Sequence, residues 1–148
     1  MSEHQVKVNW KRTSSAFDYK SYNRDHVWSF KAGQTVQASA APAYRGNPEL
    51  VDPEDAFVAS LSSCHLLTFL AIASRKGLVI DEYVDDAVGF LEKNVEGRLA
   101  ITRVVLRPRI SFSGDSPDEA TLAQMHEQSH HECFIANSVK TNVTVESA

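Results

Sequence analysis

Two cysteines in 148 residues, six glycines, five prolines and no surplus of positive charge set the first limits on this chain. So few cysteines exclude a disulfide-stapled scaffold, and a chain of this length can bury a core without staples. A formal net charge of −4, with Lys and Arg dispersed, excludes the basic stripe that a nucleic-acid module presents. There is no repeat, no low-complexity tract and no Pro-, Gly- or Ser-rich linker, so the expectation is one domain over residues 1–148. Met1 to Gln5 hold no apolar run of the signal-peptide kind, and no uninterrupted apolar stretch nears the ~18 residues of a membrane span. The chain is therefore expected to be cytoplasmic, with neither membrane nor nucleic acid as a partner. In a reducing cytosol, a cysteine pair is more often catalytic, redox-active or metal-binding than structural, and two inert buried thiols are the alternative.

The residues that are present read as α+β. Val6, Val8 and Trp10 alternate with polar neighbours, as in a half-buried strand. A polar loop follows, to about Asp25. Val27 to Phe30 and Thr35 to Ala38 flank Gly33 and suit a hairpin. Asp52 is a good N-cap, Pro53 suits the first helical turn, and Glu54 and Asp55 suit the positive end of the helix dipole. The helix so begun runs to about Lys76, where Gly77 stops it, and its interior is apolar or small all round, the pattern of a buried helix. A span of that length, ~36 Å, is long for one small domain to wrap, which argues that a second chain covers part of it. Strands are expected from Tyr83 to Leu91, from Leu99 to Phe112 and around Val139 to Val145, with a second helix over about 117–131.

Cys64 sits midway along the first helix, sharing a face with Leu61, Thr68 and Ala71. A small residue in a packed helix explains it without chemistry. A reactive thiol must be a thiolate at neutral pH, and neither an apolar setting nor a mid-helix position favours that charge. Catalysis at Cys64 therefore requires an imported cation, and the loop candidates are Arg24 and Arg45. Glu54 is the group suited to orient such an arginine through a bidentate pair. Ten residues of helix, ~15 Å of rise, separate Glu54 from Cys64, more than one guanidinium spans. Either the helix bends or the two residues come from different protomers; two such helices packed about a two-fold axis is the favoured arrangement. Cys133 follows the second helix and is expected to open a short helical turn, which would favour its thiolate.

These residues together resemble the OsmC/Ohr family (osmotically inducible protein C and organic hydroperoxide resistance protein). Asn47-Pro48, Pro53-Glu54 and Cys64 ten residues on are similar to the family's helix with its arginine-binding Glu and peroxidatic Cys. His131-Glu132-Cys133, followed by Ala136-Asn137, resembles its second-cysteine segment. Arg24-Asp25 resembles the Arg-Asp of the Ohr branch, whereas Arg45 lies nearer the loop arginine of the OsmC branch. The resemblance implies an intertwined homodimer, with curved antiparallel sheets around long central helices. It implies reduction of organic hydroperoxides through a Cys64 sulfenic acid and a Cys64–Cys133 disulfide, with a lipoyl-type dithiol as reductant. No metal or organic cofactor is implied. Phe134 stands where the family commonly has proline, and His65 where an apolar residue is usual.

Three rivals compete with that reading. His126 and His130, spaced i, i+4 beside His131 and Cys133, have the spacing of a metal site, although histidines on an exposed helix face are usually solvated. A helix cradled by a sheet also suits a lipid or acyl pocket without catalysis. The third rival is a redox-sensing member that forms the disulfide without turnover.

Overall fold

In a computed structural model that describes residues 1–146, the chain divides into two compact units, one spanning Met1–Ala56 and the other beginning at Phe57. The alternation near the N-terminus gives the first unit its sheet. Strands β1 (Lys7–Asn9), β2 (His26–Ser29) and β3 (Thr35–Ala38) are antiparallel in that order, with Trp28 opposite both Val8 and Val36. The hairpin turns through Ala32 and Gly33, both with positive φ, which a glycine adopts at no steric cost. The long loop between β1 and β2 is tied by Asn23. Its side-chain amide donates to the Lys11 carbonyl (2.9 Å) and accepts from the Thr13 N–H (2.9 Å). After β3 the chain folds back so closely that a Cβ on Gly46 would fall inside the Ala40 carbonyl, so only glycine fits there.

Helix α1 (Pro53–Arg75) starts as its sequence dictates: the Asp52 carboxylate accepts the Asp55 N–H at 2.8 Å. It ends at Gly77, in the left-handed region at φ 74°, where the Leu78 N–H donates back to the Ala73 carbonyl at 3.0 Å. Its burial differs from expectation. Leu61, His65, Phe69, Ile72 and Ala73 form one buried stripe, while Leu67 is 64% and Leu70 37% exposed. The helix is therefore one-sided within the chain, not buried all round. By length and mean hydropathy (1.8 over its best 18 residues) α1 would suffice to cross a membrane, which corrects the reading that no stretch of the chain comes near that mark. Such a helix is equally the core helix of a globular fold.

In the second unit, each of the two long strands expected from the sequence is broken. β4 (Val79–Asp85) and β5 (Val88–Lys93) form one arm of a long hairpin, and β6 (Leu99–Leu106) and β7 (Pro108–Ser113) the other. The arms break at the same level, where the Asp85 carboxylate accepts the Arg107 backbone N–H at 2.6 Å. The break sorts them into two sheets: β4 pairs with β7, and β5 with β6, both antiparallel. Strand β8 (Asn142–Val145) adds to β6 in parallel, the one parallel strand pair among the described residues. Helix α2 (Glu119–Glu132) is capped by Asp118, whose carboxylate accepts the Thr121 N–H at 2.7 Å. The fold is α+β, with eight strands among the described residues rather than the six expected.

Within this unit α1 carries two apolar clusters. Leu61 packs with Val104, Leu106 and Val143. Phe69, Ile72 and Ala73 pack with Met125 of α2. Burying a Leu or Phe side chain contributes roughly 2 kcal/mol each, so the stripe fixes which face of α1 looks inward and hence where Cys64 lies.

Candidate active site

Cys64 flanks the buried stripe of α1 and is half-buried; Cys133, the C-cap of α2, is 1% exposed. Both thiols are free, and although 69 residues separate them in sequence, the Cys64 side chain lies near enough to Cys133 to bear on its titration. Burial first, and then the neighbouring Cys64, push the Cys133 thiol above the ordinary thiol range, although the Ala136 N–H (3.4 Å) and the Ile135 N–H, which donate to its sulfur, pull the other way. The expectation that a helix start would favour the Cys133 thiolate is thus corrected. The following turn does present its N–H groups, but it is a three-residue 3₁₀ segment (Ala136–Ser138), and burial outweighs it.

Next to Cys64, His65 points to the centre of the buried stripe. Its Nε2 lies 3.0 Å from Nδ1 of His126 on α2, with the two ring planes nearly parallel and their centres 5.3 Å apart, so the rings meet edge to edge; the His126 ring stacks in turn on Phe69 at 4.6 Å. Burial, with His126 and then His130 nearby, lowers the His65 pKa to about 4. His126 is also lowered by burial, partly offset by Asp85. Asp85 further accepts the Ser62 hydroxyl of α1. Close by, the Tyr83 hydroxyl is buried without a hydrogen-bond partner among the described residues, and burial together with Asp85 raises it above the usual tyrosine range. The expectation for His126 fails here: it is 8% exposed and faces a second histidine rather than solvent. No group of three His, Cys, Asp or Glu among the described residues has the geometry of a metal site, which leaves the i, i+4 spacing of His126 and His130 without support. The buried pair went unread because His65 registers in the sequence only as a polar interruption of an apolar helix.

The remaining candidates belong to the unit Met1–Ala56. The Arg24 guanidinium lies 3.6 Å from the centre of the Tyr22 ring and 4.9 Å from that of Tyr19, and it donates to the carbonyls of both residues. Arg45 is exposed, has a left-handed backbone at φ 65°, and reaches the same Tyr19 ring at 5.9 Å. The two candidate arginines thus share one aromatic platform. Glu54 keeps one carboxylate oxygen buried without a hydrogen-bond partner among the described residues, so its expected bidentate arginine pair is not formed within the chain. Helix α1 runs as a single element from Glu54 to Cys64, which removes a bend as the means of bringing them to one guanidinium.

An α+β fold that places a free thiol on α1 near a second at the end of α2 is that of a protein with a neighbouring pair of thiols. Comparison places it more narrowly. The sequence profile described as OsmC-like protein matches residues 46–148. The chain is 47% identical, over the whole of both chains and with a TM-score of 0.95, to an OsmC-like protein of unknown function from Vibrio cholerae. It therefore belongs to the OsmC-like family. An organic hydroperoxide resistance protein OsmC from Legionella pneumophila shares the fold at a TM-score of 0.72 and 14% identity, covering 99% of this chain and 96% of the other. The uncharacterized protein YmaD of Bacillus subtilis is 21% identical, over 99% of this chain and 93% of its own length.

Proposed function

We propose that the protein is a thiol-dependent peroxidase that reduces organic hydroperoxides, with Cys64 as the attacking thiol and Cys133 as its resolving partner. The observation that carries the reading is the proximity of the two free cysteines, with burial favouring the protonated form of Cys133. It separates the roles: the half-buried Cys64 is the nucleophile, and the buried, protonated Cys133 waits. The Cys64 thiolate attacks the distal oxygen of the hydroperoxide and breaks the O–O bond. The sulfur becomes a sulfenic acid, and the alkoxide leaves, taking a proton as alcohol. The Cys133 thiol then condenses with the sulfenic acid, forming the disulfide and releasing water. A dithiol of the lipoyl type restores both thiols by exchange and is itself oxidised to its cyclic disulfide. No metal or organic cofactor enters these steps.

The cation that favours the Cys64 thiolate is assigned to Arg24, with Arg45 as the second choice, supplied by the second protomer of a homodimer. Three features support the dimer: the unpartnered carboxylate oxygen of Glu54, the unbent α1, and the exposed Leu67 and Leu70 on the outer side of that helix. The two thiols stay reduced between turnovers in the cytoplasm. Wild-type protein with dihydrolipoamide is expected to consume cumene hydroperoxide over many turnovers, and Cys64→Ser to consume none. An inert wild type, or an active Cys64→Ser, overturns the assignment. Sedimentation of the protein as a monomer would remove the dimer and with it the source of the arginine.

A further inference from the structure

The His65–His126 contact has no part in the chemistry above, yet it joins the same two elements as the thiols. His65 is the next residue after Cys64 on α1. His126 precedes Cys133 by seven residues, two turns of α2 and ~10 Å along its axis, so both lie on one face of that helix. Between them, Phe69 of α1 stacks on His126, and Met125 packs on Phe69 and Ile72. Apolar contacts hold the helices together but tolerate sliding, whereas a hydrogen bond between two ring nitrogens has one length and one direction. Both rings are buried, at 1% and 8% exposure, so neither has water to turn to if the helices shift. An imidazole pair of this kind also needs one N–H facing one bare nitrogen, which limits it to a single shared proton.

We propose that His65 and His126 act as a positioning clasp that sets the register of α2 on α1 and so holds Cys133 against Cys64. The two histidines touch neither peroxide nor sulfur; they act through the helices. A shift of α2 by a fraction of a turn would leave both helices packed but part the thiols. The clasp rests on the redox use of the two cysteines proposed above, but its test needs no peroxide.

The effective concentration of the thiol pair, read as the Cys64–Cys133 disulfide equilibrium in glutathione redox buffers, reports their juxtaposition directly. His126→Phe keeps a stacked ring and removes the bond; it is expected to lower the effective concentration at least about tenfold, the scale of one ordinary hydrogen bond. His126→Asn places an amide atom where Nδ1 stood and should stay within about threefold of wild type. His126→Gln moves the amide one carbon further out and should lose at least about fivefold, which keeps the test open if the Phe variant does not fold. Far-UV circular dichroism of each reduced variant verifies that both helices persist. A Phe or Gln variant with the wild-type value overturns the clasp, and so does an Asn variant as impaired as Phe, because the bond would then not be the cause. The expected ranking in a protein inert to cumene hydroperoxide would refute the peroxidase and keep the clasp. A flat ranking in an active enzyme would do the reverse.

Discussion

Acid should destabilise this protein through His65, and the size of the effect follows from the structure. His65 is 1% exposed, and its pKa falls from 6.5 to about 4, for which burial is the first cause and the neighbouring His126 and His130 the next. The unfolded chain then binds more protons than the folded one, so stability rises with pH across that window. The penalty is nearly absent above the unfolded value, grows as the pH drops below it, and levels off near the folded value. For one such group, stability falls by about 2 kcal/mol between pH 7 and pH 5. His126 is lowered too and acts in the same direction. The other titratable groups that bear on this pair are Asp85, which favours the charged form of His126, and Tyr83, which stays protonated across the range. Urea unfolding followed by far-UV circular dichroism reads the loss. Carboxylates elsewhere add their own pH dependence, so the comparison is with His65→Phe/His126→Phe, which keeps an aromatic ring at each position and removes both titrations. The double variant, which removes both contributions, should lose at least about 2 kcal/mol less than wild type over the same interval. Equal losses in the two proteins would refute the reasoning.

Leu61→Ala opens a void in the Leu61, Val104, Leu106 and Val143 cluster, three residues from Cys64, and should cost about 3 kcal/mol in urea unfolding. Gly46→Ala cannot be accommodated beside the Ala40 carbonyl without moving the loop that carries Arg45. A loss of at least about 2 kcal/mol is expected, followed by the fluorescence of Trp10 and Trp28, which lie in the same unit. Cys133→Ser removes the resolving thiol, so one equivalent of hydroperoxide should leave Cys64 as a sulfenic acid that dimedone labels stoichiometrically; wild type should show little label.

Local chemistry was legible in the sequence wherever one residue decides the outcome. Asp52 caps α1 through its own carboxylate, Gly77 ends it in the left-handed region, and Gly33 marks the β2–β3 turn. What the sequence hid needed partners from distant segments. The breaks after Asp85 and at Arg107 come from one carboxylate bonding a backbone 22 residues away, so alternation alone read each arm as a single strand. The parallel pairing of β8 with β6 leaves no local signal either. Composition made α1 look buried on every side, because an apolar residue such as Leu67 reads the same whether it faces the core or lies exposed. At the site, spacing and family resemblance led to Cys64 and Cys133, and the structure shows them as free cysteines near one another. His126 was misread as surface because its burial depends on a histidine 61 residues earlier, on another helix.

The central claim is that the two sulfurs form one redox couple that takes its oxidising equivalents from a hydroperoxide. The direct measurement is an anaerobic titration of the fully reduced protein with cumene hydroperoxide, with the thiols counted and the oxidised protein mapped by peptide mass. One equivalent of peroxide should yield one equivalent of the alcohol, abolish both free thiols and leave a single peptide pair linked through Cys64 and Cys133. Recovery of intact hydroperoxide together with two free thiols per chain would contradict the account.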